Sequence, residues 1–275
     1  MTVTKTSRIA LSATFLTVFS LLGAALAGCS GASSTTSSRA DRPGTVGTAE
    51  RLRMPAPGAI VLEPVEGPTD TVRFHIGSPL FLRLRLGDPS VCRPGSGELF
   101  YFDATGSQLG WGFQEVVDSL LFPTIDGRCE RVVMLSSEAS NRLPAGRYTM
   151  RAELFLDPAR RLRSDTLAVQ PVRSTTGADE LSYARFLMEQ IVHNAAQLRD
   201  PETVAALFGE GVPTSAESEV YRAVVLYRVG DFAGAVIALR SSREMERERG
   251  RSVGIAAETT RATLERILAQ MLEPR

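Results

Sequence analysis

Cysteine and histidine side chains supply much of the nucleophilic and metal chemistry of proteins, and this chain of 275 residues has three cysteines and two histidines. His75 and His193 lie far apart and have no partner at the short spacings that zinc sites use. The cysteines are Cys29, Cys92 and Cys129. We therefore predict no metal site, and the chemistry that the sequence can identify is that of the three thiols.

Cys29 follows a segment with the composition of a secretory signal peptide. Lys5 and Arg8 give this segment a basic start, and residues 9–26 form an uncharged, mostly apolar run that small residues end. The run is long enough for a short transmembrane helix, but serine, threonine and glycine dilute it. We predict that residues 1–28 are a signal peptide and not part of the fold.

Leu26-Ala27-Gly28-Cys29 resembles the lipobox of bacterial lipoproteins. The resemblance implies cleavage between Gly28 and Cys29, a diacylglyceryl group on the Cys29 sulfur and a further acyl chain, such as palmitate, on its amine. Two or more acyl chains hold a protein stably on a membrane. Ser30, where inner-membrane lipoproteins often carry aspartate, implies the outer membrane, facing the periplasm or the cell exterior. The alternatives are ordinary secretion after Ala25-Leu26-Ala27 and an uncleaved anchor.

The segment that follows, residues 29–57, is rich in Ser, Thr, Gly, Ala and Pro and nearly lacks large apolar side chains. Such a segment cannot bury enough surface to offset the entropy of ordering. We predict a flexible linker between the lipid and the folded part.

With Cys29 assigned to lipid, Cys92 and Cys129 remain as a pair. Exported chains meet an oxidising compartment, so we predict a disulfide between these two residues. The alternative is two free thiols or metal ligands.

Residues 58–173 have the period-two alternation of β-strands. Leu80, Leu82 and Leu84 alternate with more polar positions, and Gly, Pro, Asp and Asn punctuate seven or eight such runs. The other runs include 59–63, 70–76, 98–103, 108–116, 131–135 and 162–170. This pattern favours an antiparallel β-sandwich. The stretch Leu143-Pro144-Ala145-Gly146-Arg147-Tyr148-Thr149 resembles the entry to a late strand in immunoglobulin-like and fibronectin type III-like domains, where the Tyr hydroxyl closes a corner onto nearby backbone.

Aromatic residues concentrate in two of these runs, so a ligand platform formed by Tyr101 and Trp111 must be weighed against a core role. Trp111 is in register with Leu109 and Phe113, which favours the core face. In the run 98–103, Phe100 and Phe102 face the side opposite Tyr101. A strand that is apolar on both faces is covered on both, and we expect the second cover to be the helical half or an external partner.

Residues 178–273 change to the helical period, and the pattern predicts five helices that form a C-terminal α-helical bundle. Asp200-Pro201 and Asp231 are predicted to begin two of them, and Thr214-Ser215-Ala216-Glu217 is predicted to be a capping box. Residues 221–239 resemble one tetratricopeptide helix pair. A second copy is not recognisable, although solenoids generally need about three, so one tetratricopeptide-like pair within a bundle is the expectation.

The whole chain has equal numbers of basic and acidic residues, which argues against a nucleic-acid partner. No nucleophile elbow, zinc-protease motif or phosphate loop is present, so we predict no enzyme and no cofactor. The leading hypothesis is a non-catalytic, membrane-anchored lipoprotein that binds or scaffolds an envelope protein. The alternatives are a carbohydrate- or peptidoglycan-binding lipoprotein and, less favoured, an envelope hydrolase with paired carboxylates.

Overall fold

The computed structural model describes residues 55–66, 71–123, 128–173, 179–194, 198, 200–209 and 214–272. These residues belong to one compact unit, Thr48–Arg275. The signal peptide, Cys29 and most of the linker predicted above lie outside the described residues. Within the described part of the chain, no helix is both long and apolar enough to cross a bilayer.

Nine strands form two sheets. Their bounds are β1 Ile60–Pro64, β2 Thr71–His75, β3 Leu80–Leu86, β4 Glu98–Phe102, β5 Gln114–Val116, β6 Glu130–Leu135, β7 Tyr148–Asp157, β8 Arg160–Arg163 and β9 Leu167–Val172. Sheet 1 has the order β1-β3-β6-β5, and sheet 2 has the order β2-β9-β7-β4 with β8 also paired to β7.

Alternation along the strands places a shared apolar core between the two sheets. In β3, Leu80, Leu82, Leu84 and Leu86 are fully buried and join a cluster that also contains Met150 and other residues of sheet 2. Successive side chains of a strand point to opposite faces, so the intervening positions of β3 face away from sheet 2. The apolar alternation seen in the sequence is therefore satisfied by the second sheet.

Six α-helices are described. Their bounds are α1 Ser137–Asn141, α2 Glu180–His193, α3 Pro201–Leu207, α4 Ala216–Arg228, α5 Phe232–Arg249 and α6 Ile255–Leu272. The side chains of Asp200 and Asp231 accept from backbone N–H groups of α3 and α5, as the sequence predicts for N-caps. The capping box begins one residue later than predicted. It is formed by reciprocal hydrogen bonds between Ser215 and Ser218.

The helices cover the outer face of sheet 1. Phe81, Val132 and Met134, which point away from sheet 2, join a second buried cluster with residues of α2, α4, α5 and α6. Tyr221 of α4 is fully buried in it. The molecule is thus a mixed α+β protein in which sheet 1 buries apolar side chains on both faces.

Three strand predictions differ from the structure. The predicted run 108–116 is a strand only at Gln114–Val116, and the run 162–170 is divided between β8 and β9. The expected purely antiparallel arrangement is wrong for β2 and β9, which pair in parallel. Parallel neighbours need a long crossover, and here the whole chain from β3 to β8 supplies it, a relation that no local pattern encodes.

Candidate functional site

The outer face of sheet 2 carries an open groove lined by aromatic rings. Phe100 and Phe102 of β4 and Phe155 of β7 are partly exposed in it, and Gln108 and Leu156 contribute to its sides. The groove has a volume of about 600 Å³. Unlike the outer face of sheet 1, this face is not covered by any helix among the described residues.

Strand pairing brings the three rings together. Phe100 and Phe102 lie across from Glu153 and Arg151, and Phe155 lies across from Glu98. The Phe100 and Phe155 rings meet edge to face with centroids 5.3 Å apart, a favourable geometry for aromatic pairs. The guanidinium of Arg151 lies 5.4 Å from the Phe102 ring centroid, within the range of a cation–π contact.

Three arginines next to the groove converge on one carboxylate. Arg151, Arg161 and Arg163 place a guanidinium nitrogen 3.2, 3.6 and 2.7 Å from an oxygen of Glu153. The Glu153 side chain is 3% exposed, while those of Arg161 and Arg163 are about half exposed. One buried negative charge cannot balance three cations, so this edge of the groove is electropositive. Glu98 on β4 and Asp157 at the end of β7 add two acidic side chains to its lining.

The predicted platform residues lie elsewhere. Tyr101 and Trp111 are 6% and 9% exposed and belong to the cluster between the sheets. Trp111 packs edge to face on Tyr148 at 5.1 Å, and Tyr101 lies 4.6 Å from Phe113. Burial raises the pKa of the Tyr101 hydroxyl above its usual range, although Arg131 opposes this. Neither ring has a face open for a ligand to stack on.

The sequence identified only half of the groove. Alternation in β4 assigned Phe100 and Phe102 to a face that needs a cover. The contribution of Phe155, Arg161 and Arg163 depends on the pairing of β7 with β4 and with β8, which is not local in sequence. One sequence pattern could have identified Phe155 as an outward-facing residue. In β7, Arg151, Glu153 and Phe155 alternate with buried residues such as Leu154.

The predicted disulfide is present. Cys92 follows the 3₁₀ turn Pro89–Val91 and is bonded to Cys129, which precedes β6. It therefore ties the loop after β3 to the sheet-1 strand β6.

A second concavity lies beside the disulfide, where sheet 1 meets the first turns of α6. Cys92 and Arg83 line it from the sheet, and Ala256 and Thr259 line it from α6. Its volume is about 180 Å³, smaller than typical sites for drug-sized ligands. This charged cleft is a concavity between the β-rich half and the helices.

The two histidines lie at opposite ends of α2. His75 Nε2 lies 2.9 Å from Asp179 Oδ2, so it links the end of β2 to the N-cap of α2. Hydrogen bonds from Ser182 and His75 lower the pKa of the Asp179 carboxyl against the opposing effect of burial. His193 is exposed at the end of α2. Among the described residues, no three His, Cys, Asp or Glu side chains are grouped to hold a metal.

Glu66, just after β1, is a buried carboxyl between sheet 1 and the helices. Its Oε1 accepts from Tyr221 Oη at 2.7 Å and from the Ala257 amide at 3.2 Å, and its backbone carbonyl accepts from Arg185 at 3.0 Å. Burial raises its pKa to about 7, although the bond from Tyr221 opposes this. A Cβ at Gly254 would overlap Glu66 Oε2, so this close approach requires glycine. These contacts join three helices to one residue, two through its side chain and one through its backbone carbonyl, so the role of Glu66 is structural.

Comparison with known proteins does not assign a family. No family model matches the chain, and no curated protein does. Among solved structures, a match is found to astrotactin-2, described as a conserved vertebrate-specific and perforin-like membrane protein involved in neuronal development. The identity is 13%, the match covers 74% of this chain and 38% of that chain, and the TM-score is 0.24. A likeness of this size carries no argument about fold or function.

Proposed function

We propose that this chain is a non-catalytic, lipid-anchored protein of a bacterial envelope that binds an envelope protein through the aromatic groove of sheet 2. The observation that carries the binding role is the open set of three phenylalanine rings beside three arginines. Exposed apolar patches of this kind mark interaction sites, and aromatic and arginine side chains dominate binding energy at protein interfaces.

The anchor in this proposal rests on Leu26-Ala27-Gly28-Cys29 and the basic-then-apolar segment before it. A lipid on Cys29 and a linker to residue 57 would hold the folded part near the outer membrane, on the periplasmic side or at the exterior. The Cys92–Cys129 disulfide supports export, because such bonds persist in oxidising compartments.

The finer fold that we propose is an immunoglobulin-like β-sandwich followed by a helical bundle with one tetratricopeptide-like pair. Two sheets that share one apolar cluster support the sandwich. Tyr148 Oη donates to the Pro144 carbonyl at 3.4 Å, a long version of the corner that the sequence motif implies. The tight turn at Gly230, with φ +87°, and the packing of Tyr227 on Phe232 support the helix pair.

The chemistry of the groove restricts its partner. The rings need an apolar side chain to pack against, and the cluster of Arg151, Arg161 and Arg163 needs an acidic group. We therefore propose a protein segment in which apolar and acidic side chains lie close together, with the acidic groups toward β8.

The anchor is tested by Cys29→Ser. We expect this variant to leave the membrane fraction in soluble form or to remain unprocessed, because no thiol is left to accept the lipid. Fractionation and intact mass of the N-terminus report both outcomes. Ser30→Asp is the matched control, since it keeps the thiol and should remain lipidated. A Cys29→Ser chain that is correctly processed and still membrane-bound would contradict the proposal.

The groove is tested by a photo-crosslinking amino acid at Phe155 in cells, with the same group at Ile237, which is 66% exposed on α5, as the control. We expect one reproducible protein adduct at position 155 and none at 237. Arg161→Gln should weaken the adduct, and Arg240→Gln on α5 should not. An adduct that resists protease but is removed by a wall-degrading muramidase would favour the carbohydrate alternative. Equal labelling at both positions would reject the groove as the binding surface.

A further inference from the structure

We propose that the charged cleft between sheet 1 and α6 is a binding site for a small organic carboxylate, held by Arg83 and Arg128. The proposal is independent of the aromatic groove, which lies on the other sheet. It rests on the charges that remain in the cleft once each ion pair is assigned.

Of the described residues, six with charged side chains line the cleft, and three of them are neutralised by close partners. Arg131 donates twice to the Glu115 carboxylate, at 2.5 and 2.7 Å, and once to the Ser96 carbonyl. Asp118 pairs with Arg228 and accepts from two backbone amides of its own loop. These groups are satisfied and need no ligand.

The three that remain are Arg83, Arg128 and Glu130. Glu130 Oε2 lies 3.6 Å from Arg83 Nε, and Glu130 Oε1 lies 3.8 Å from Arg128 Nη1, which are ion pairs beyond hydrogen-bond distance. Arg83 Nε and Glu130 Oε1 are buried and make no hydrogen bond. Among the described residues that line the cleft, two cations thus share one carboxylate, and Arg83 also lies within electrostatic reach of the buried Glu66 carboxyl.

Arg83 is held in place by burial. It is 7% exposed, on the helix-facing side of β3, and lines the cleft. Buried charged groups are nearly always hydrogen-bonded, and a single buried unsatisfied donor costs about 1–3 kcal/mol. An anion in the cleft would give the Arg83 guanidinium a further partner, so the site favours an anion.

The walls of the cleft select a carboxylate with a small apolar body. Val116, Leu121 and Val132 supply apolar lining next to the arginines. The loop that carries Leu121 is fixed, since the Leu121 carbonyl accepts from Thr260 Oγ1 of α6 at 2.8 Å. A planar carboxylate fits a guanidinium better than a single oxygen does. The same chemistry is offered by a free short-chain acid and by the carboxyl terminus of a peptide.

The test is calorimetric titration of the full-length chain at constant ionic strength with isobutyrate, isobutyramide and a valine-terminated tetrapeptide in free-acid and amidated forms. We expect saturable binding of the acids and not of the amides. Tighter binding of the peptide acid than of isobutyrate would identify a chain terminus as the source, and the reverse order a free acid. Amides that bind as well as acids, or no saturable binding of any probe, would overturn the proposal.

Arg83→Gln and Arg128→Gln should each weaken binding about tenfold or more, as expected for loss of a charge-assisted hydrogen bond. Arg240→Gln, an exposed arginine on α5, is the matched control and should leave binding unchanged. Because Arg83 is buried, the Arg83→Gln variant could fail to fold. In that case the Arg128→Gln variant decides whether the cleft binds the carboxylate. Side-chain ¹H–¹⁵N signals of Arg83 Nε should shift with isobutyrate and stay in place with isobutyramide.

Discussion

Phe81 in sheet 1 and Phe100 in sheet 2 occupy similar positions with opposite outcomes. Each alternates with buried residues that face the other sheet, and each points outward. Phe81 is 1% exposed because the helices pack on it, with Phe122 of the neighbouring loop 6.2 Å away. Phe100 remains partly exposed and packs on Phe155.

This difference shows what a strand that is apolar on both faces requires. The pattern demands that both faces be covered, but it does not specify the cover. In sheet 1 the chain provides the cover itself, with residues that follow β9. In sheet 2 the outer face is flanked by partly exposed arginines. Such a face can remain in contact with water until a partner binds and covers it. Three predictions follow from this contrast, the largest expected effect first.

Phe81→Ala should destabilise the protein by about 3–5 kcal/mol, because it leaves a cavity between sheet 1 and the helices that packing cannot refill. Chemical denaturation followed by far-ultraviolet circular dichroism measures the loss. Phe81→Leu, which keeps most of the volume, should cost markedly less. A loss below about 1 kcal/mol for the alanine variant would show that the helices do not cover this face tightly.

Glu66 should make the covered face pH-dependent. Its pKa is raised from 4.5 to about 7 in the folded protein, so the folded state holds an extra proton between those values. The free energy of unfolding should therefore fall as the pH rises through that window, by up to about 3 kcal/mol from this group. Arg83 and Glu217 act on the same carboxyl with opposite signs.

Glu66→Gln mimics the protonated form and still accepts from Tyr221 and Ala257, so its stability should be flatter over this pH range. Unfolding free energies of both proteins at several pH values measure the difference. Glu202→Gln, a change in the first turn of α3 far from this junction in sequence, is the control. Equal slopes for the wild type and Glu66→Gln would contradict the raised pKa.

Phe100→Ala should cost only about 1 kcal/mol, mostly from the lost contact with Phe155. The same variant should reduce crosslinking from position 155 to the partner, because the ring helps to form the groove. The pair Phe81→Ala and Phe100→Ala thus separates stability from binding. If Phe100→Ala destabilised the protein as much as Phe81→Ala, the open face would be a structural core and not a binding surface.

Local patterns predicted much of the fold. The leucines of β3 and the caps at Asp200 and Asp231 are set by residue type and short-range spacing, and the structure confirms them. The pairing of Cys92 with Cys129 follows from the number of cysteines, and the structure contains this disulfide. The short helix α1 and the break after Gln108 were not predicted, because their sequences satisfy a strand or turn pattern equally well.

The candidate sites were harder to predict from the sequence than the fold was. Tyr101 and Trp111 were the aromatic residues to weigh as a platform, yet both lie in the core. Phe155 and Arg161 joined the groove only through the pairing of β7 with its neighbours. Arg83 and Glu130 gave no signal as a site, since charged residues on a strand normally face solvent.

The sequence by itself determined the periodicities, the caps, the two cysteines that pair and the lipobox-like segment, because each depends on residues close together in the chain or on residue chemistry alone. Only the tertiary structure decided which sheet the helices cover, which rings stay open and which charged side chains meet in the cleft. Those outcomes depend on strand order and packing between residues far apart in sequence, where shape and burial, and not local propensity, determine the free energy.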